Sequence, residues 1–339
     1  MMQFVPIMIV SFAAALGLTP ITRQLARRFG VMDQPSARKV HREATPLLGG
    51  LAIYGAMMLA LAVFSLDDYL VELLAILAGA SWMALIGFLD DRKAMIPWQK
   101  FAAQFVAGGV LVLTGVMIRL TGVPLIDAAL TIIWVAGITN AVNFQDNMDG
   151  LCAGLTAIAS GFFFLLAVME GQGLVASLAA ALCGSAIGFL IFNFNPASTF
   201  MGDLGSLVLG FTLAVLSIKL RFDSQPFGLS TWSVPLLVLG EPIFDIVLVI
   251  FTRLRERRPP WQAGKDHTSH RLVQMGLSMR GAVLVIYGVC VALGIAAIVV
   301  SRNPNFAPAL VAMAALAGLT VFVWLERFRI LQQRQAEKP

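Results

Sequence analysis

Residues 151–192 read LCAGLTAIASGFFFLLAVMEGQGLVASLAAALCGSAIGFLIF, and Glu170 is the one charged side chain in this stretch. A membrane-spanning helix needs about 20 consecutive, mostly apolar residues. The stretch contains two such blocks, 151–170 and 173–192, separated by Gly171 and Gln172. It therefore predicts two consecutive transmembrane helices.

Similar blocks occur along the whole chain. Of the 339 residues, 58% are hydrophobic and 13% are charged, and the mean hydropathy is +0.83, whereas soluble domains carry about 25% charged residues. We predict an all-α, polytopic membrane helix bundle that forms a single domain over residues 1–339. About eleven transmembrane helices are expected, at 3–20, 48–65, 70–89, 101–118, 124–142, 151–170, 173–192, 204–220, 232–251, 281–300 and 307–325. The first block is not expected to be a signal peptide, because basic residues follow it and none precede it.

The distribution of basic residues predicts the orientation of the bundle. All but four of the 24 Lys and Arg residues fall in one set of loops and in the C-terminal tail. Because cytoplasmic loops carry the excess of Lys and Arg, we place the N-terminus outside and the C-terminus in the cytoplasm. The cytoplasmic loops then lie near 21–47, 90–100, 143–150, 193–203 and 252–280. The net charge of +5 reflects this orientation and attraction to anionic lipid, and we expect no nucleic-acid partner.

Two adjacent carboxylates, Asp90 and Asp91, end the third predicted span in GFLDDRKAMIPWQK, residues 87–100. Carboxylates at a membrane edge are costly unless water or cations solvate them. They can bind a divalent metal, accept a proton, or flank the span beside Arg92 and Lys93. The dipeptide alone favours the flanking role, since charged residues commonly border spans.

The segment NAVNFQDNMDGL, residues 140–151, contains no basic residue. Asn140 and Asn143 lie three residues apart, as do Asp146 and Asp149. Each pair shares one helical face if the fifth span continues through it. Because these carboxylates have no local cation, a purely structural role is disfavoured.

A further segment, NFNPASTFMGDLGS at residues 193–206, places Asp203 between Gly202 and Gly205. Glycine permits a ligand to approach the backbone closely, but aspartate also suits the start of a helix as a cap. A metal ligand and a helix cap are compatible alternatives for Asp203. Asn193 and Phe200 belong to the same segment, and Phe200 alone is typical of an interfacial aromatic.

Two cytoplasmic loops supply cationic side chains. The loop RLRERRPPWQAGKDHTSHRL, residues 253–272, contains His267, His270 and Arg271. Phosphate contacts suit these residues better than a zinc site, which would need further ligands. The first loop, residues 31–50, contributes Lys39 as a candidate for a phosphate or a lipid headgroup.

The polar loops share one predicted membrane face and one kind of chemistry. Carboxylates suit Mg²⁺, which binds through one or two of them together with substrate phosphates, and Mn²⁺ is the alternative. Phosphoryl transfer needs mainly positioning, a divalent cation and positive charge around the transferred group. The residues therefore favour a reaction between a lipid-borne phosphate and a soluble nucleotide.

On these motifs the chain resembles the polyprenyl-phosphate N-acetylhexosamine-1-phosphate transferases of the glycosyltransferase 4 type. The resemblance covers nearly the whole chain, and seven motifs in the family's order are highly specific. They are DQPSARKVHREATPLLGG, GFLDDRK, Lys100 with Gln104, NAVNFQDNMDG, FNFNPASTFMGDLGS, PIFDIVLV and GKDHTSHRL.

The resemblance implies roles for individual residues. Asp90 and Asp91 match paired aspartates associated with the lipid phosphate and with acceptor activation, and Asp203 matches the magnesium ligand. These three are the implied catalytic residues, and Asn143 is similar to an asparagine near the metal and the diphosphate. The implied substrate contacts are the acidic pair Asp146 and Asp149 on the nucleotide side, Phe200 as the aromatic that stacks on uracil with Asn193 beside it, and His267, His270 and Arg271 at the sugar-phosphate end of the donor. As further substrate-binding candidates we add Lys39, for a phosphate or headgroup, and Lys100, as positive charge near the departing UMP.

Two positions depart from the family's usual pattern. Asn147 stands where glycine is usual, between the two aspartates, and Ser269 stands where histidine is usual, in the middle of the histidine motif. The first departure puts the turn in doubt, and the second puts any role of that position in doubt.

The resemblance implies a Mg²⁺-dependent bacterial inner-membrane enzyme with its active site on the cytoplasmic face. We expect it to transfer a sugar-1-phosphate, GlcNAc-1-phosphate by branch, from a UDP-N-acetylhexosamine to undecaprenyl phosphate with release of UMP. This reaction is a first membrane step in making a cell-envelope polysaccharide. The alternatives are a phospho-MurNAc-pentapeptide transferase and a transporter or lipid flippase. A transporter would place ionisable groups near the bilayer midplane, and few lie there in this sequence. A homodimer is left open.

Overall fold

The computed structural model describes residues 3–34, 44–63, 70–222 and 229–336, and within these ranges the chain is almost entirely helical. A two-stranded antiparallel pair, β1 (Met32–Asp33) and β2 (Thr45–Pro46), closes the first loop. The helices are α1 (Val5–Phe29), α2 (Gly49–Val63), α3 (Leu70–Arg92), α4 (Pro97–Leu113), α5 (Pro124–Phe144), α6 (Leu151–Met169), α7 (Gly173–Asn193), α8 (Gly202–Lys219), α9 (Leu229–Val238), α10 (Gly240–Arg255), α11 (Thr268–Gln274), α12 (Met279–Arg302) and α13 (Ala307–Ala336). The expected all-α membrane bundle is confirmed.

The predicted spans all coincide with helices, although they do not all have the length of a crossing. Eight helices in the described ranges are long and apolar enough to cross a membrane, or nine if the bent pair α9–α10 counts as one span. Two further predicted spans each coincide with a single shorter helix, α2 with 15 residues and α4 with 17. At 1.5 Å per residue they reach about 23–26 Å, less than a hydrocarbon core of about 30 Å. For α2 and α4 a complete crossing therefore stays a prediction.

The ninth predicted span, 232–251, is two helices and not one. The axes of α9 and α10 differ by 69° across a break at Leu239. Hydropathy cannot reveal this break, because both helices are apolar. In α10 the buried residues Glu241, Asp245, Leu248 and Thr252 recur at helical spacing and form one inward face.

Helices α7 and α8 form the centre of the bundle. In their most apolar 18-residue windows 83% and 89% of residues are buried, against 6% for the window in α13. Small residues allow close helix contacts in membranes. A Cβ on Gly87 of α3 would lie 2.4 Å from the backbone nitrogen of Leu204. This close approach brings the end of α3 against the beginning of α8, where the candidate site lies.

Candidate active site

Four polar residues from separate segments make a connected group, here called the carboxylate cluster: Asp90, Lys100, Asn143 and Asp203. Lys100 Nζ lies 2.7 Å from Asp203 Oδ2 and also forms an ion pair with Asp90. Asn143 Nδ2 donates to Asp203 Oδ1 at 2.7 Å. The ends of α3 and α5 thus meet the beginnings of α4 and α8 at one end of the bundle.

Asp91 has a different set of partners from its neighbour. Its two carboxylate oxygens accept the backbone N–H groups of Asp203 at 2.8 Å and Leu204 at 3.1 Å. A carboxylate in this position satisfies amides of the first helical turn and complements the helix dipole. Gly202, with φ of +68°, begins α8, and a Cβ there would lie 2.5 Å from Asp91. The side chain of Asp91, at the end of α3, therefore caps the N-terminus of α8.

The loop after α3 turns back and brings Lys100 to the cluster. Asp90 Oδ1 accepts the Met95 N–H at 2.5 Å, and Pro97 then begins α4 with its fixed φ. One turn further on, Gln104 and Asn140 exchange two amide hydrogen bonds, of 3.2 and 2.6 Å. This reciprocal pair joins α4 to α5.

Asp146 lies just beyond α5, where negative charge accumulates. Burial, together with the negative charges on Asp203 and Asp91, raises the pKa of Asp146 to about 8. Its carboxylate has no ion pair within the described parts of the chain. A divalent cation in this region would therefore relieve a real electrostatic cost.

Asp149 and Asn193 hold the loop that follows α7. Asp149 Oδ2 accepts Asn195 Nδ2 at 2.9 Å and the Ala197 N–H at 3.0 Å. Asn193 is buried, accepts the Gly150 N–H and donates to the Thr199 carbonyl, both at 3.1 Å. Their side chains shape the loop, and their predicted substrate contacts stay predictions.

Phe200 joins this loop to the loop between α1 and α2. Its N–H donates to the Pro46 carbonyl at 2.8 Å, and its own carbonyl accepts the Gly49 N–H at 2.9 Å. These two hydrogen bonds fix the backbone of Phe200 three residues before Asp203. A fixed backbone is compatible with the expected stacking of the Phe200 ring on uracil, which stays a prediction. Lys39, the candidate from the first loop, lies outside the described residues.

His267 is held by Asp245 of α10 and contacts Phe144 of α5. His267 Nδ1 lies 2.7 Å from Asp245 Oδ2, and Asp245 Oδ1 accepts the Thr268 N–H at 2.7 Å. The ring of Phe144 meets His267 edge-on at 5.8 Å between centroids. Burial and the nearby His267 lower the pKa of His270 from 6.5 to about 4. His270 is therefore a neutral imidazole near pH 7, able to form hydrogen bonds but not to supply charge.

Arg271 points away from the other site residues. Its side chain is fully buried, and its guanidinium donates to the Asp266 carbonyl at 2.9 Å, to Thr252 at 2.6 Å and to Glu326 at 2.8 Å. Arg271 thus forms a buried ion pair with Glu326. This geometry does not favour the expected contact between Arg271 and the donor, which stays a prediction.

The two departures from the expected motifs contact each other. Ser269 Oγ donates to Asn147 Oδ1 at 2.6 Å, while Asn147 Nδ2 donates to the Phe144 carbonyl at 2.7 Å. One hydrogen bond therefore joins the acidic loop 145–150 to the histidine loop, at the positions that the sequence marked as unusual.

Comparison with known proteins gives the family. Residues 73–221 match the sequence profile of glycosyl transferase family 4. The chain is 37% identical, over 88% of its length and 85% of the relative, to the probable undecaprenyl-phosphate N-acetylglucosaminyl 1-phosphate transferase of Bacillus subtilis. The chain belongs to glycosyl transferase family 4. The matched range contains the whole carboxylate cluster.

Two further relatives are named for two different transferase activities. The decaprenyl-phosphate N-acetylglucosaminephosphotransferase of Mycobacterium tuberculosis is 33% identical over 90% of this chain and 85% of its own. The phospho-N-acetylmuramoyl-pentapeptide-transferase of Bacillus mycoides is also 33% identical, but over 62% of this chain and 74% of its own. The chain is an integral membrane protein, and its relatives are named as transferases, which leaves the transporter alternative without support.

Several residues that contact the site were not among the sequence-based candidates. Phe144 lies inside the motif NAVNFQDNMDG, in which only polar residues were candidates. Glu326 and Arg329 contact the histidine loop from α13, and both lie outside the range that matches the family 4 profile. The available signal was the segment LERFR at the end of the last apolar block, which the topology argument had explained as a basic tail.

Proposed function

We propose that this family 4 chain transfers GlcNAc-1-phosphate from UDP-GlcNAc to undecaprenyl phosphate and releases UMP. The observation that carries the proposal is the carboxylate cluster, in which Asp90, Lys100, Asn143 and Asp203 meet at one end of a membrane bundle. The relatives that cover most of this chain are named as polyprenyl-phosphate N-acetylglucosamine phosphate transferases. The pentapeptide-transferase relative covers less of it.

In the proposed reaction, an oxygen of the lipid phosphate attacks the sugar-side phosphorus of the donor. The bond from that phosphorus to the bridging oxygen breaks, and UMP leaves with the electron pair. Asp90 orients the acceptor phosphate and takes its proton if it arrives protonated. Lys100, between Asp90 and Asp203, supplies positive charge where the two phosphates meet.

We propose that Asp203 holds Mg²⁺, or Mn²⁺, with Asn143 beside it. Within the described ranges no three His, Cys, Asp or Glu side chains are grouped as a complete metal site. That fits a cation held by one or two carboxylates and completed by substrate phosphates. When bound, the cation would neutralise charge on the diphosphate and on the departing UMP. The raised pKa of Asp146 supports this placement, because the region has more carboxylates than local cations.

The donor would extend from the cluster toward the histidine loop. Phe200 would offer its ring to the uracil, and the neutral His270 would form a hydrogen bond at the sugar-phosphate end. Asp146 would act on the nucleotide side, while Asp149 and Asn193 would maintain the loop that carries Phe200. The hydrogen bond between Ser269 and Asn147 would fix the distance between the histidine loop and the acidic loop 145–150.

An apolar cavity suits the polyprenyl chain of the acceptor. The cavity of about 820 Å³ lies among α5, α8, α9 and α10, and its walls include Ile133, Trp134 and Leu236. Its lining reaches Ala141, two residues before Asn143, and Ile246, one residue after Asp245. A prenyl chain in this cavity would bring its phosphate end toward the carboxylate cluster. We also infer a bacterial inner-membrane location with this cluster facing the cytoplasm.

The test is an assay of the purified protein with undecaprenyl phosphate, Mg²⁺ and a panel of UDP-sugars. We expect UMP release with UDP-GlcNAc and formation of a prenyl diphosphate-linked sugar. Release of UDP in place of UMP would mean sugar transfer and would overturn the reaction class. Turnover only with UDP-MurNAc-pentapeptide would keep the class and replace the donor.

A further inference from the structure

The last turns of α13 make contacts that differ from those of the rest of that helix. Where α13 is described with side chains, its buried residues are Ala307, Leu325 and Glu326. The remainder has little contact with the bundle, as expected for a helix that faces lipid. Glu326 and Arg329 nevertheless form ion pairs with the loop that carries the histidines.

Glu326 holds the residue that follows the histidines. Its Oε1 accepts Arg271 Nη2 at 2.8 Å and the Thr252 hydroxyl at 2.5 Å, and its Oε2 lies 2.7 Å from Arg255. Arg271 in turn donates to the Asp266 carbonyl at 2.9 Å. The C-terminal boundary of the histidine segment is thus anchored to α13.

Arg329 holds the residue that precedes the histidines. Its guanidinium lies 2.8 Å from Asp266 Oδ1 and donates to Glu256 at 2.6 and 3.0 Å. Asp266 also accepts Arg253 and Arg258 and is buried. Burial alone would raise the pKa of Asp266, but hydrogen bonds from Arg258 and Arg253 and the charge on Arg329 hold it well below its usual value. The surrounding arginines therefore favour the ionised carboxylate, which ties the loop to α13.

Buried ion pairs are a poor source of net stability, because desolvation offsets much of their attraction. They do impose a particular geometry, since each charge is costly without its partner. Here the two anchored residues, Asp266 and Arg271, directly bracket His267 and His270.

We propose that the cytoplasmic end of α13 is a positioning element of the active site, in which Glu326 and Arg329 hold His267 and His270 in place for the donor. This inference rests on the proposed function for its choice of substrate. Glu326 and Arg329 touch no substrate in this proposal and act through Asp266 and Arg271.

Arg329→Met is the test variant and Arg327→Met is its matched control. Arg327 is exposed, lies two residues away on the same helix, and has no ion pair within the described ranges. We expect Arg329→Met to raise the donor KM by about 10-fold to 100-fold, the usual scale for misplaced substrate groups, with the acceptor KM unchanged. Arg329→Lys should recover part of the loss, and Arg327→Met should match the wild type. Equal changes in both KM values, or none, would overturn the proposal.

Hydrogen exchange of the same variants gives a result that does not depend on the reaction. We expect faster amide exchange at residues 264–272 in Arg329→Met, with wild-type exchange in α7 and α8 and throughout Arg327→Met. If Arg329→Met does not fold, Glu326→Gln provides the same measurement. Unchanged exchange at 264–272 in a folded variant would refute the positioning role. A wild-type enzyme without UMP release would instead refute the proposed function and leave the exchange result standing.

Discussion

Asp90 and Asp91 are adjacent in sequence but have different partners, so we expect their substitutions to differ in their main effect. We expect Asp90→Asn to lower kcat by about 10²–10⁴, the range typical of a lost general base, with little change in thermal stability. Asp91→Ala should destabilise the protein by about 1–2 kcal/mol through loss of the α8 cap. Turnover at saturating donor and acceptor, with the unfolding temperature in detergent, distinguishes the two effects.

Asp91→Asn is the conservative control for this comparison, because it keeps an acceptor oxygen for one of the two amides. It should lie between the wild type and Asp91→Ala in stability. Wild-type turnover in Asp90→Asn would mean that Asp90 merely pairs with Lys100.

The proposal that Asp203 binds Mg²⁺ or Mn²⁺ can be tested directly. We expect activity to disappear in excess EDTA and return with Mg²⁺ or Mn²⁺, because the carboxylates and the donor diphosphate need a shared counter-charge. Asp203→Asn should abolish most activity while the protein remains folded. The measurement is UMP release against metal concentration, and full activity in EDTA would remove the metal from the mechanism.

The lowered pKa of His270 predicts how the donor KM depends on pH. Because its pKa is lowered to about 4, the imidazole stays neutral from pH 6 to 8 and its contribution to donor binding should be constant there. Protonation of His270 should change that contribution only as the pH falls toward 4. Donor KM measured across this range in wild type and His270→Gln checks the expectation. An inflection between pH 6 and 7 that vanishes in the variant would contradict it.

Among the elements, the loop 194–201 between α7 and α8 depends on one amide side chain. Asn193 bridges the Gly150 N–H and the Thr199 carbonyl. Removing its side chain leaves these two backbone groups unpaired, which costs about 1–3 kcal/mol of folding free energy for each. We expect Asn193→Ala to lower the unfolding temperature and to raise the donor KM, since Phe200 lies in the same loop. Ser198→Ala, in the same loop, is the control, and equal effects in both variants would deny Asn193 a special role.

The sequence predicted the elements better than it predicted their interactions. Each predicted apolar block coincides with a helix or with the bent pair α9–α10, because membrane length and hydropathy constrain such segments strongly. The break at Leu239 was not foreseen, because the hydropathy on both sides is the same. The burial of Arg271 was missed for a related reason: its partner Glu326 is distant in sequence and looked like part of a charged tail.

At the scale of the whole molecule, the orientation of the bundle is the expectation still to be measured. We predict that a cysteine at Asn303 reacts with an impermeant maleimide from outside intact cells and that one at Gln262 reacts only after permeabilisation. Both positions are exposed, and the native Cys152, Cys183 and Cys290 are buried, so background labelling should be low. Outside labelling at Gln262 would reverse the orientation and remove the cytoplasmic donor with it.

The convergence of the polar loops was predictable at this scale, and the detailed contacts were not. The excess of basic residues assigned the loops to one face, and a single bundle then had to bring them together. No local pattern indicated that Lys100 would bridge Asp90 and Asp203, because Asp203 lies 103 residues beyond Lys100 in the sequence.

Helix α13 faces lipid along most of its length, and its last turns are tied to the histidine loop. A helix in this position responds to the thickness of the surrounding bilayer by tilting or sliding. Its ion pairs would carry such a movement to Asp266 and Arg271, beside the histidines. The rate at which the enzyme uses its soluble donor is thus expected to change with the acyl-chain length of lipids that take no part in the reaction.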